Sequence, residues 1–261
     1  MKEKRKTEQE FAKAKRKAEN EAKGIYEVNG IIFKMIYVQG GTFTMGCTSE
    51  QGSNCDADAK PSHKVTLSSY YIGETEVTQE LWKAMMGRNP SEFKGDKRPV
   101  ENVSWDDCQT FIRKLNELTG KKFRLPTEDE WEFAARGGTK SAGYKYSGSN
   151  DINAVAWYIE NAWDKGKSSP DYGTHVVKTK RPNELGIYDM SGNVYEWCSE
   201  WWGIYTDAAQ TNPKGADSGS HRVFRGGCWS YFARHCRASY RDYGSPGLRN
   251  YGLGLRLVLL P

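Results

Sequence analysis

The stretch FRLPTEDEWEFAARGG, from Phe123 to Gly138, carries a complete helix signal. Thr127 and Glu130, three positions apart, form a capping box in which each side chain satisfies a backbone N–H of the first turn. The helix ends at Arg136-Gly137-Gly138. A second stretch, GIYDMSGNVYEW from Gly186 to Trp197, is as distinctive but has no helical period. Its apolar end, Val194 to Trp197, reads as a short piece between loops.

Working outward, two more helices have legible starts. Thr78 caps one that runs to Met86 and stops at Gly87. Ser104 caps another, with Cys108, Phe111, Ile112 and Leu115 on one face and Gly120 past its end. Upstream, Ile31 to Met45 reads as a hairpin turning at Gln39-Gly40-Gly41, and Val65 to Ile72 alternates like one strand. After Gly138 the texture changes. Polar Gly/Ser/Asn/Asp/Tyr stretches alternate with short apolar pieces at Val155–Ile159, Val176–Val177, Val194–Trp197, Arg222–Phe224 and Leu253–Leu259. Long irregular loops inside a domain are usually functional. Residues 26–261 read as one α+β domain rich in loops. Residues 1–25 read as a charged helical tail or linker, whose one large apolar residue, Phe11, leaves it no stripe to bury.

Charge narrows the function. The formal net charge is +5, but +4 of it sits between Met1 and Lys23. The rest carries almost none, so a nucleic-acid partner is not expected. No run is long and apolar enough to span a bilayer. If a leader was trimmed, a cell-surface, secreted or phage-particle location is favoured. Six cysteines form no C-x-x-C pair, which argues against structural zinc. Cys47 and Cys55 flank a polar loop and could close a disulfide; buried free thiols are the other reading.

The two opening stretches, with GGTFTMG (40–46), EVT (76–78), PVENVSW (99–105) and RGG (225–227), occur in an order that resembles the formylglycine-generating enzyme (sulfatase-modifying factor) family. The resemblance runs from about Tyr26 to Leu260. It implies a loop-rich, C-type-lectin-like fold. Active members oxidise a substrate cysteine with O₂ on a copper(I) ion held by two cysteines, a soft-ligand site. Here Tyr231 occupies the first ligand position, and Cys236 meets the second only in an ungapped alignment. Copper is therefore not expected, and formylglycine-type or other metal-dependent oxidation of a protein or peptide is kept as the alternative function. His63, His175, His221 and His235 are too scattered for the iron sites of related branches. The family's calcium loop resembles GNVYE, in which Asn193 and Glu196 would ligate and Val194 would lend a carbonyl to a structural ion. The opposing reading has Asn193 capping a turn and Glu196 pairing with an arginine. Trp131, Trp197, Trp201 and Trp202 read as core.

The last 36 residues, Gly226 to Pro261, hold no Lys, Glu, Gln or Met, types that make up about a quarter of the residues before them. Target proteins of diversity-generating retroelements resemble the same scaffold and carry a hypervariable binding surface near the C-terminus. Those elements alter the adenines of AAC codons, which leaves codons for Tyr, Phe, Ser, His, Asp, Gly, Leu and Asn but none for Lys, Glu, Gln, Met or Trp. The other reading is that core strands simply lack Lys and Glu. On the resemblance, the frame is Gly226, Gly227, Trp229, Arg237, Arg241, Pro246, Arg249, Gly254 and Arg256. The ligand-binding positions are Ser230, Tyr231, Phe232, His235, Ser239, Tyr240, Asp242, Tyr243, Gly244, Gly247, Leu248, Asn250, Tyr251 and Gly252. Aromatics among small polar residues make a paratope-like composition. The expectation is a non-catalytic binder of a protein or glycan.

Overall fold

The computed structural model describes residues 2–52 and 55–261. The charged tail is a helix, α1 (Lys2–Ala22). Its end is tied to the domain where Glu21 meets Lys121 at 2.6 Å. Met1 lies outside the described residues.

β1 (Ile25–Val28) and β2 (Ile31–Val38) form a hairpin across Asn29-Gly30, both with positive φ, as a tight two-residue turn requires. This corrects the expected hairpin within 31–45. β3 (Gly41–Met45) does not pair with β2. Instead β2 pairs with β5 (Tyr70–Gly73), and β3 pairs with β4 (His63–Leu67). The expected single strand 65–72 is thus broken at Ser68-Ser69. Residues 31–45 and 63–73 make one long antiparallel ribbon, bent where it passes from one sheet to another. Gly40 permits the bend: a Cβ there would lie 2.4 Å from the Leu67 carbonyl oxygen. Its N–H donates to Ser69 Oγ at 3.0 Å.

The three expected helices are present. α2 (Gln79–Met86) is capped by Thr78, α3 (Trp105–Thr119) by the Ser104–Asp107 box, and α4 (Glu128–Ala135) by the Thr127–Glu130 box. After Gly138 the only α-helix among the described residues is the single turn α5 (Ile152–Val155). The remaining strands are short: β6 (Phe123–Arg124), β7 (Tyr195–Trp201), β8 (Gln210–Thr211), β9 (Arg222–Arg225), β10 (Arg241–Gly244), β11 (Leu253–Leu255) and β12 (Val258–Leu259). Val176–Val177 forms no strand.

Three sheets result, ordered β1-β2-β5-β12-β6, β10-β9-β7-β11 and β3-β4-β8. The apolar piece 253–259 divides between two of them, and Arg256 sits at the division. This is the C-type-lectin-like arrangement of the formylglycine-generating type. Trp131 and Trp197 are fully buried. Trp201 and Trp202 are only half-buried; Trp202 packs against the core that contains Trp131, while Trp201 is corrected to a position outside it. Their rings stack on guanidinium groups, Trp201 on Arg222 at 3.4 Å and Trp202 on Arg241 at 4.2 Å. Cys47 and Cys55 are joined in a disulfide; the other four cysteines are free and buried.

Candidate ligand-recognition surface

The C-terminal segment is held by buried arginines. Arg225, on β9, is enclosed by the carboxylates of Glu128 and Glu132, both on α4. Arg241, on β10, donates twice to Glu128 at 2.7 Å. Arg256 donates to both oxygens of Glu196 at 2.6 and 2.9 Å, and the Trp131 indole N–H donates to the same carboxylate at 2.7 Å. Burial raises the Glu128 carboxyl, but Arg241 and Arg225 outweigh it and hold the group below its usual range. Arg225, Arg241 and Arg256 are therefore each paired with a buried carboxylate, the condition under which burial of charge is tolerated. Gly227 completes the frame. Its φ is +73, and a Cβ there would press to 2.9 Å on the His235 backbone. Trp229 is fully buried behind it.

Against this frame the expected binding residues separate into two groups. Tyr231, Phe232, Tyr243, Leu248 and Tyr251 are exposed, at 37 to 58%. They supply five of the thirteen exposed large apolar side chains among the described residues, from a span of 21 positions. Gly247 faces open space. Ser230, Tyr240, Asp242 and Asn250 are half-buried. The other four are corrected to frame positions. His235 is buried, and its Nδ1 lies 3.2 Å from the Phe232 carbonyl. Ser239 is buried with its hydroxyl on Gln51 Oε1 at 3.1 Å. Gly244 packs beneath Leu248. Gly252 lies against Cys228, with 2.6 Å between an added Cβ and the sulfur.

The exposed rings are linked through neighbours. Tyr231 meets His235 at 5.1 Å, and His235 meets Tyr240 at 4.6 Å. Tyr251 leans on Trp229 at 5.5 Å. Tyr243 stands apart from this run, on Trp202 at 4.4 Å and His221 at 5.2 Å. Sequence reasoning missed two adjoining elements. One is Trp163, exposed and 5.4 Å from Trp229. The other is the disulfide-closed loop, whose Gln51 braces Ser239, with the turn that follows it, whose Asp58 carbonyl accepts from Arg241 at 3.0 Å. The spacing of Cys47 and Cys55 was the available signal for the loop. A lone tryptophan in a polar stretch was the signal for Trp163.

Neither implied metal site is well furnished. Copper(I) requires thiolates. Cys228 and Cys236 are buried, and burial pushes the Cys228 thiol up to about 11 and raises Cys236 further. Tyr231 provides no soft donor in their place. At the calcium loop, Asn193 Oδ1 accepts from the His175 N–H at 2.8 Å. Glu196 is the partner of Arg256 and Trp131. The positive φ of Asn193 marks a turn. The side chains of Asn193 and Glu196 thus act as turn former and arginine partner, and with Val194 they do not make a free oxygen cage for a hard ion.

Comparison with known proteins places this frame. The Sulfatase-modifying factor enzyme 1-like domain model matches residues 28–260. The chaperone protein LppX of Paenibacillus barcinonensis is 35% identical, over 86% of this chain and 88% of its own length. The formylglycine-generating enzyme of Streptomyces coelicolor is 28% identical, over 85% and 87%. Among solved structures, Treponema denticola variable protein 1 superposes with a TM-score of 0.80 at 36% identity, covering 91% of this chain and 98% of that one. The chain belongs to the sulfatase-modifying factor enzyme 1-like family.

Proposed function

We propose that this protein is a non-catalytic binder that displays an aromatic recognition face on its C-type-lectin-like scaffold. The observation that carries this is the separation of the C-terminal segment into buried frame and outward rings. Arg241, Arg256, Gly227 and Trp229 are fixed by pairing or packing, while Tyr231, Phe232, Leu248 and Tyr251 stand in solvent. Tyr and Phe give large contact area at low entropy cost. A protein ligand is favoured over a glycan. Large apolar surfaces left exposed commonly mark protein interfaces, and the Paenibacillus relative is named a chaperone. The disulfide supports an oxidising location, at the cell surface or outside it.

The same reading includes diversification by a retroelement. The exposed positions are types that AAC-derived codons supply, and the Treponema relative is named a variable protein. The test is genomic. The DNA beside this gene should hold a near-copy of its 3′ coding end, differing at adenines, next to a reverse transcriptase gene. Absence of any copy removes diversification and leaves a fixed binder. The enzymatic alternative is tested separately: tight copper(I) binding with conversion of a cysteine peptide under O₂ would replace the binding reading.

A further inference from the structure

Arg222 differs from the arginines that mount the C-terminal segment. Arg225, Arg241 and Arg256 are each paired with a buried carboxylate. Arg249 is paired with Asp107 on α3 at 2.8 Å. Arg222 forms no ion pair among the described residues; Asp106 and Glu200 act on its charge from further away. Its guanidinium lies between two tryptophan rings, 3.4 Å from Trp201 and 3.9 Å from Trp105. Trp201 faces it directly across β7 and β9. Trp105, at the start of α3, is fixed by its indole N–H, which donates to the Cys198 carbonyl at 2.9 Å. Of the guanidinium nitrogens, Nη1 donates to the Ser199 carbonyl at 2.7 Å, and Nε is buried without a partner. Nη2 is left open and bonds to nothing among the described residues. This clamp adjoins the exposed side chains. Arg222 is the strand partner of Gly244 across β9 and β10, and Leu248 packs on Gly244. Alternate residues of a strand share a side, so Phe224 lies on the same side as Arg222. Phe224 carries Tyr195 at 4.9 Å, and Tyr195 carries exposed Tyr231 at 5.4 Å.

We propose that Arg222, clamped between Trp105 and Trp201, is a fixed carboxylate-binding point at the edge of the recognition face, so that the face selects protein segments presenting aspartate or glutamate beside an apolar side chain. All members of the clamp precede Gly226 and lie outside the segment that the proposed function allows to vary. A guanidinium stacked on both faces keeps its edge for charge-assisted bonds in its own plane, the geometry a carboxylate matches. The two rings hold that edge in place before a ligand arrives, so little rotamer freedom is lost on binding. Leu248 and Tyr231 supply the apolar contact on the same side. The proposal rests on the binding function above and deepens it by naming what a constant part of the face takes.

The test uses the whole chain and a phage-displayed library of random dodecapeptides as probe. Enriched peptides should carry Asp or Glu beside an aromatic or aliphatic residue. In a synthetic copy of one such peptide, changing the acid to its amide should weaken binding to the parent protein about tenfold and flatten the salt dependence. Arg222→Gln should weaken the acidic peptide by the same factor and leave the amide peptide unchanged, so the losses do not add. Arg222→Lys, which keeps the charge but not the planar fork, should fall between. A merely structural arginine would weaken both peptides alike. Enrichment of peptides without acids, equal binding of the acidic and amide peptides by the parent protein, or equal losses for both in Arg222→Gln overturns the proposal. The acid-to-amide comparison uses the unaltered protein, so it decides even if Arg222→Gln does not fold. Where the proposal fails, loss of peptide binding in Tyr231→Ala with Tyr251→Ala retains the binding function. Binding that survives both changes, or no enrichment at all, removes that function as well.

Discussion

Arg256 illustrates how single residues decide this structure. It lies between two strands of different sheets, and among the described residues its only carboxylate hydrogen-bond partner is Glu196. Replacing Glu196 with Gln leaves a buried guanidinium without its counter-charge. A loss of about 3–5 kcal/mol is expected, read from urea unfolding. Glu101 makes the opposite point. It is fully buried, accepts from the Phe93 N–H at 2.9 Å, and leaves its second oxygen unpartnered. Burial raises its carboxyl to about 7. An unfolded glutamate titrates near ~4.3. Between those values the native chain holds a proton that the unfolded chain has lost. The unfolded state then binds fewer protons, so this contribution to stability falls as pH rises from about 4 through 7. Glu101→Gln should flatten that decline, gaining on the order of 3–4 kcal/mol over the parent at pH 8 relative to pH 4. Parallel pH profiles for the two proteins would contradict it. Glu196 pairing with an arginine was one of the two readings of its loop, and Arg256 was assigned to the frame; the burial of Glu101 was not legible, because a charged residue in sequence reads as surface.

Helices were read well, and strands less so, for a physical reason. Caps are local: Thr78, Ser104 and Thr127 bond to N–H groups three positions on, so a short window contains the whole signal. Strand pairing is not local. Alternation over 31–45 and 65–72 was correctly extended, but it says nothing about the partner. The Asn29-Gly30 turn carried the stronger hairpin signal and was passed over, while Gln39-Gly40-Gly41 turned out to be a corner between sheets. In the C-terminal segment, composition and the family resemblance together single out candidate positions but not which of their side chains reach solvent. That depends on packing against Cys228, Gln51 and Leu248. The distinction is testable with glycines. Gly247→Tyr, into open space, should change stability by no more than about 0.5 kcal/mol. Gly252→Tyr, against the Cys228 sulfur, should destabilise by about 3 kcal/mol or more, or prevent folding. Denaturant midpoints compare the two directly. Equal effects would mean that frame and face are not distinct.

The molecule as a whole behaves as a rigid mount. Arg225, Arg241 and Arg256 tie β9, β10 and the β11–β12 junction to carboxylates on α4 and β7, so the outward rings are positioned by buried charge pairs as well as by the loops that carry them. With Asn193 and Glu196 engaged by His175 and by Arg256 and Trp131, we expect no stabilisation by calcium. Melting temperatures in excess calcium and in a chelator should agree within error; a rise of several degrees with calcium would restore the ion at Asn193 and Glu196. On the proposed function, such a mount lets its surface vary without loss of fold. The most direct test is deep sequencing of the 3′ coding end across a population of source cells. The account predicts amino-acid differences concentrated at Tyr231, Phe232, Tyr240, Asp242, Tyr243, Gly247, Leu248, Asn250 and Tyr251, with Gly227, Trp229, Arg241 and Arg256 unchanged. Differences spread evenly over frame and face, or a face as constant as its frame, would contradict it.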